Sequence, residues 1–212
     1  MDWAVFQLLN GALAGHPLVG DGVEDLAGLL VPLFGVATCA LWLFDRPGGV
    51  LRWRLASFSA LLAASLGLIV SQVISHAWAR ERPFVSHPGE THLFVPPSPD
   101  PSFPSDHAVA AFAIAFAVVF YGRRVGALFL AGATVIAVSR VVVGVHYPGD
   151  VLAGALVGFA CALVVFRLGA GRLELIVGLV SRVTDPLVRR LWAATDRLGI
   201  TSPRGRRTSR SA

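Results

Sequence analysis

Residues 125–168 read VGALFLAGATVIAVSRVVVGVHYPGDVLAGALVGFACALVVFRL. The runs Val125–Val143 and Val151–Leu168 are each long enough to cross a hydrocarbon core of about 30 Å as a helix. The link between them is short, so they form an antiparallel pair. Arg140, His146 and Asp150 sit around that link, as an Arg-x5-His-x3-Asp string. Titratable groups are expensive at membrane depth, so their gathering at the ends of spanning helices marks a functional site by default.

Outward from this pair the same pattern recurs. Leu26–Phe44, Leu55–Trp78 and the shorter His107–Tyr121 are further apolar windows, the last needing flanking apolar residues or a thinned bilayer to span. Hydrophobic residues make up 55% of the chain and charged residues 15%. Such a balance excludes an ordinary soluble domain. The expected fold is all-α, a polytopic membrane helix bundle of about five transmembrane helices with interfacial helices at both ends. Trp3–Ala14 is too short to cross and lacks a basic flank before it, so it is expected to be a retained interfacial or re-entrant helix rather than a signal peptide. After the last span, Leu173, Ile176, Val177, Val180, Val183, Leu187 and Leu191 repeat at helical spacing opposite Arg182, Asp185, Arg189 and Arg190. This predicts an amphipathic surface helix, broken or kinked near Pro186. One domain over 1–200 is expected, followed by a disordered basic cytoplasmic tail at 201–212.

All 18 basic residues are arginine. Arg46, Arg52 and Arg54, then Arg123 and Arg124, then the cluster from Arg167 to Arg210 fall in alternate connections, which places those connections in the cytoplasm. Arg80, Arg82 and Arg140 are left on the outer side with the titratable groups. Anion binding is one reason for them to be there; snorkelling, or pairing with Glu81 and Asp150, is the other. Cys39 and Cys161 suggest neither a disulfide framework nor a metal site. The six histidines form no pair at metal-ligand spacing, so neither metal nor cofactor is expected.

Three segments fall in order: Arg82-Pro83, then Pro104-Ser105-Asp106-His107, then Ser139-Arg140-x5-His146-x3-Asp150. Together they resemble the type 2 phosphatidic acid phosphatase (PAP2) superfamily, whose pattern is Lys-x6-Arg-Pro, Pro-Ser-Gly-His and Ser-Arg-x5-His-x3-Asp. Within it, Arg82-Pro83-Phe84-Val85-Ser86-His87, the run Ser102–His107 and the compact size are similar to bacterial undecaprenyl pyrophosphate phosphatases of the bacitracin-resistance type. Two departures stand out. Ser75 occupies the Lys position, with Arg80 the nearest substitute, and Asp106 replaces the Gly. That carboxylate must turn from the phosphate, pair with an arginine or take a proton.

The resemblance implies catalytic roles for His146, His107 and Asp150, and phosphate binding by Arg82, Arg140, Ser105, Asp106 and Arg80. Elementary chemistry agrees with the main assignments. His146 can attack phosphorus through a ring nitrogen while Asp150 fixes its tautomer. His107, in the first turn of a helix, can protonate the leaving oxygen and then activate water. Ser105 and the orphan amides of that turn form a phosphate cradle, and the arginine forks match phosphate oxygens. The segment 80–104 carries seven of the 13 prolines among aromatic residues, the mark of a semi-rigid outer lid over the site.

The implied function is hydrolysis of undecaprenyl pyrophosphate to undecaprenyl phosphate and phosphate through a phosphohistidine, recycling a cell-wall carrier lipid at a bacterial plasma membrane. Other lipid phosphates, such as phosphatidic acid, phosphatidylglycerophosphate or another polyprenyl phosphate, are the alternative. A non-enzymatic anionic-lipid transporter or scaffold would need no oriented imidazole, and a haloperoxidase would not carry five spans. The expected partners are a polyprenyl diphosphate lipid and the bilayer, with no nucleic acid; composition sets no oligomeric state.

Overall fold

The computed structural model describes residues 2–12 and 17–197. The basic tail 201–212 and the side chains of Asp21, Glu24 and Asp25 lie outside the described residues. All regular structure among the described residues is helical: α1 (Asp2–Gly11), α2 (Pro17–Ala40) with a 3-10 turn (Leu41–Phe44), α3 (Arg52–Ala77), α4 (Pro83–Ser86), α5 (Asp106–Tyr121), α6 (Arg123–Val142) and α7 (Pro148–Arg197). Helices α3, α6 and the first part of α7, Pro148–Gly169, are long and apolar enough to cross a membrane. Two of the five expected spans are shorter apolar helices, Leu29–Phe44 and Asp106–Tyr121.

The length of α5 has a structural reason. Its 16 residues extend only about 24 Å, yet it does not need to match the bilayer. Helices α3, α6 and α7 all pack around it, burying Ala108, Val109, Ala111, Ala113, Ala115, Ala117 and Val118. It is the central post of the bundle. Large apolar side chains point outward from the helices around it, including Ile69, Val73, Leu128, Leu152 and Leu156. A belt of this extent requires an apolar surround.

Helix α7 approaches α5 through glycine. A Cβ on Gly154 would lie 2.9 Å from the Ser105 carbonyl oxygen, and one on Gly158 would lie 2.7 Å from both Ala113 N and Val109 O. Small residues four apart let two helix backbones meet this closely. Gly158→Val should therefore lower stability by about 1–3 kcal/mol or more through overpacking, read as a fall in thermal unfolding temperature in detergent. Gly171→Ala, where an added Cβ meets nothing within 4 Å, should leave that temperature unchanged or raise it.

Two expectations for the ends are revised. Helix α7 runs unbroken through Pro186 to Arg197, so the spanning and amphipathic segments form one element. The apolar stripe also divides: Leu173, Val177 and Val188 pack into the protein, while Ile176, Val183, Leu187 and Leu191 are exposed. Polar anchors hold the inward face. Arg54 Nη1 donates to Asp185 Oδ1 at 2.6 Å, and Trp42 Nε1 donates to Thr184 Oγ1 at 3.2 Å. Asp45 Oδ2 accepts the Trp53 and Arg54 amides at the start of α3. At the other end, the ten residues of α1 lie against α6 and α7, with Phe6 and Asn10 buried.

Candidate active site

The sequence brings four chain segments to one end of the bundle. Helix α3 ends at Ala77, α5 begins at Asp106, α6 ends at Val142 and α7 begins at Pro148, where a proline costs no intrahelical hydrogen bond. Gly144 turns the chain between α6 and α7 with φ +87, and a Cβ there would lie 2.5 Å from the His92 carbonyl oxygen. Only glycine suits that turn.

The segment 80–104 folds over this end. Phe84, Leu93, Phe94 and Val95 pack on Val143 and Val145, and the Phe94 amide donates to the Val143 carbonyl at 3.2 Å. Beneath lies a cavity of about 440 Å³, lined by Gln72, Ser75, His76, Arg82, Asp106, His107, Arg140 and His146, with Pro96, Ser98, Asp100, Pro101 and Pro104 from the overlying segment.

His146 is almost wholly buried. Its Nδ1 lies 2.8 Å from the Ser102 carbonyl oxygen, a contact that needs the proton on Nδ1 and leaves Nε2 as the unprotonated, accepting ring nitrogen. Nε2 lies 3.5 Å from Arg82 Nη1. Burial pushes the His146 pKa below the ordinary imidazole value; the contact with Asp150 and the Ser102 carbonyl work against this shift, and the Arg82 charge adds to it. Burial and the Arg82 charge thus favour the neutral ring.

Asp150, the expected orienting partner, takes a different place. Its Oδ2 is 3.8 Å from His146 Nδ1, beyond hydrogen-bond reach, and instead accepts the Ser102 hydroxyl at 2.5 Å and the Tyr147 amide at 2.8 Å. Its Oδ1 binds Arg80 Nη1 at 2.7 Å. The carboxylate thus fixes the Ser102 residue whose carbonyl holds the imidazole. Ser102 opens the run Ser102–His107, but its role was not legible there, because the contact to the ring is made by its backbone.

Arg82 donates Nε to the Asp100 carbonyl at 2.7 Å and Nη1 to the Val145 carbonyl at 3.2 Å. Burial lowers its pKa while Asp100, Asp150 and Asp106 pull it back up; an arginine stays cationic through such shifts. Arg140 Nε and Ser105 Oγ are buried polar atoms without a protein partner. Arg140 lines the cavity, where a phosphate oxygen would satisfy it. Ser105, between the lining residues Pro104 and Asp106, is itself wholly buried and does not line it. The Ser105 amide donates to the Asp150 carbonyl at 3.2 Å, so the free amides of the cradle are those after it. His107 faces the cavity from the first turn of α5.

Asp106 turns toward α3, where its carboxylate accepts Ser71 Oγ and, at 3.0 Å, Gln72 Nε2. These donors are neutral side chains, and Asp106 still lines the cavity. Ser75, in the position of the family's lysine, donates Oγ to the Phe103 carbonyl at 3.0 Å. Arg80 is not among the residues lining the cavity. Both ends of its guanidinium are taken by carboxylates, Asp150 and Asp2, so the geometry replaces the expected phosphate contact with the ion-pair alternative.

The PAP2 superfamily model matches residues 56–173. The undecaprenyl-diphosphatase BcrC of Bacillus subtilis is 30% identical over 192 residues, covering 90% of this chain and 95% of its own. The decaprenylphosphoryl-5-phosphoribose phosphatase of Mycolicibacterium smegmatis is 35% identical over 156 residues, covering 71% and 79%. The crystal structure of Aquifex aeolicus LpxE superimposes with a TM-score of 0.63 at 25% identity, covering 78% of this chain and 94% of that one. With its arginines and histidines drawn around one cavity at the end of an all-helical bundle, this chain belongs to the PAP2 superfamily.

Proposed function

We propose that the protein hydrolyses undecaprenyl pyrophosphate to undecaprenyl phosphate and inorganic phosphate through a phosphohistidine. The observation that carries the chemistry is His146, whose Nδ1 is held by the Ser102 carbonyl so that Nε2 presents its lone pair beside Arg82. Nε2 attacks the terminal phosphorus, the bond from phosphorus to the bridging oxygen breaks, and His107 gives that oxygen its proton. A water then attacks the phosphohistidine, losing a proton to His107 as the P–N bond breaks. Arg82, Arg140 and the first-turn amides of α5 bind the equatorial oxygens, an electrostatic contribution that grows as charge spreads in the transition state.

Similarity to BcrC over nearly the full length of both chains supports the choice of substrate. The rim of the cavity supports it too. Gln72 and His76 on the exposed face of α3 lead to Ile69 and Val73, both largely exposed, so a polyprenyl tail can stay in lipid while the diphosphate enters. The arginine-bearing connections meet at the opposite end of the bundle, where Arg52 Nε donates to the Tyr121 carbonyl beside Arg123. By the positive-inside bias, that end and the C-terminus face the cytoplasm and the site faces outward across a bacterial plasma membrane, where it recycles the carrier lipid.

The test is phosphate release by purified protein in detergent from undecaprenyl pyrophosphate, phosphatidic acid, phosphatidylglycerophosphate and a polyprenyl phosphoribose, each with and without chelator. We expect the highest kcat/KM on undecaprenyl pyrophosphate and no effect of chelation, because Arg82 and Arg140 supply the positive charge. A tenfold preference of about that size or more for any other substrate would overturn the assignment. Loss of activity on chelation, restored by magnesium, would overturn the metal-free chemistry.

A further inference from the structure

Arg80 connects two parts of the molecule that are distant in sequence. Its Nη1 binds Asp150 and its Nη2 binds Asp2, each at 2.7 Å, while its guanidinium lies 3.9 Å over the Tyr147 ring. Its carbonyl accepts the Ser102 amide at 2.8 Å. Arg80 therefore holds, by side chain and by backbone, the two residues that set the position of His146. Asp2 in turn uses its second oxygen to accept the Gly149 amide at 2.8 Å, one residue before Asp150.

Helix α1 is fastened along its length to deliver that carboxylate. Trp3 stacks on His87 at 3.6 Å between ring centroids, and Phe6 is fully buried. The Asn10 side chain donates to the His92 and Val142 carbonyls and accepts the His92 amide. A long arginine side chain is costly to hold in one rotamer, and a second carboxylate on its other nitrogen fixes it.

We propose that Asp2 and Arg80 are positioning residues: the N-terminal helix, through the chain Asp2–Arg80–Asp150, holds Ser102 and hence the His146 imidazole in the attacking geometry. The inference rests on the reading of His146 as the nucleophile. It assigns α1 a part in catalysis, and it places the effect on the chemical step, because Arg80 does not line the cavity.

The test is a double-mutant cycle with kcat and KM measured for wild type, Asp2→Asn, Arg80→Gln, the double variant and Asp2→Glu, on undecaprenyl pyrophosphate and on phosphatidic acid. For Asp2→Asn we expect kcat to fall about tenfold on both lipids with KM within about twofold, and for Arg80→Gln a larger fall; the double variant should be no worse than Arg80→Gln alone, the mark of residues acting through one another. Asp2→Glu should recover most of the loss. Multiplicative losses, a deficit only in KM, or an Asp2→Asn variant equal to wild type would overturn the proposal. A loss confined to the pyrophosphate would also overturn it, placing Arg80 on the second phosphate. Should Arg80→Gln not fold, the pair Asp2→Asn and Asp2→Glu decides by the same kcat readout. Wild type active on phosphatidic acid alone would overturn the proposed substrate and leave the cycle readable. Activity surviving in His146→Ala would instead remove the nucleophile on which the inference rests.

Discussion

Phosphate release should fall on the order of 10⁶-fold in His146→Ala, the scale reached when a covalent nucleophile is removed. The size of the effect follows from the pocket. His146 Nε2 is the ring nitrogen left with a lone pair, and it lies beside the Arg82 guanidinium. Water entering the space left by the ring would meet the arginines but have no covalent route. Rapid quenching with substrate labelled in its terminal phosphate should leave label on the wild-type protein and none on the variant. The pH dependence carries a sign. Because burial lowers the His146 pKa, the attacking neutral ring persists as pH falls, and the acid limb of kcat/KM for the free enzyme should lie below the ordinary imidazole value of about 6.5. Wild-type-like release from His146→Ala would remove the covalent step.

Asp150→Asn should be the next most damaging, lowering kcat by about 10²- to 10⁴-fold. The carboxylate is wholly buried, and both oxygens accept from donors: Arg80 on one, the Ser102 hydroxyl and the Tyr147 amide on the other. An amide has one acceptor oxygen and one donating nitrogen. Either orientation sets N–H groups against N–H or O–H groups, and Arg80 loses its buried counter-charge. Arg80 is partly exposed and keeps its pair with Asp2, so the loss should be smaller than the roughly 3–5 kcal/mol of breaking a fully buried pair, read as a fall in unfolding temperature together with kcat. Unchanged kcat in a folded Asp150→Asn variant would show that the carboxylate does not set the position of His146.

Much of the fold was legible because apolar length is a strong signal when charge and turn residues bound it. Arg123 begins α6, Gly144 follows its end, and Pro148 begins α7, so the expected windows fall within a few residues of the helices. Periodicity was less informative about what an apolar face touches. Along residues 173–191 lipid and protein require the same residue types, and only packing separates Leu173 and Val177 from Val183 and Leu187. In the candidate site, side chains whose motifs lie near helix ends converge: Arg82, His107, Arg140 and His146 share one cavity. Contacts made by backbone were not visible, which is why the Ser102 carbonyl was missed. Asp2 was missed for another reason. Its partners are 78 and 147 residues away, a separation at which local sequence pattern carries no signal.

The seam between α5 and α7 bears on how the spacing of the site is kept. Glycine and alanine have no rotamers to lose on packing, and Gly154 and Gly158 meet α5 largely through backbone atoms and Ala108. Fixing the distance between Ser105 and Asp150 therefore costs almost no side-chain entropy, and it leaves no rotamer whose hopping would make that distance fluctuate. The spacing of the candidate site behaves as a property of the backbone, insensitive to the thermal motion of the lipid-facing side chains around it.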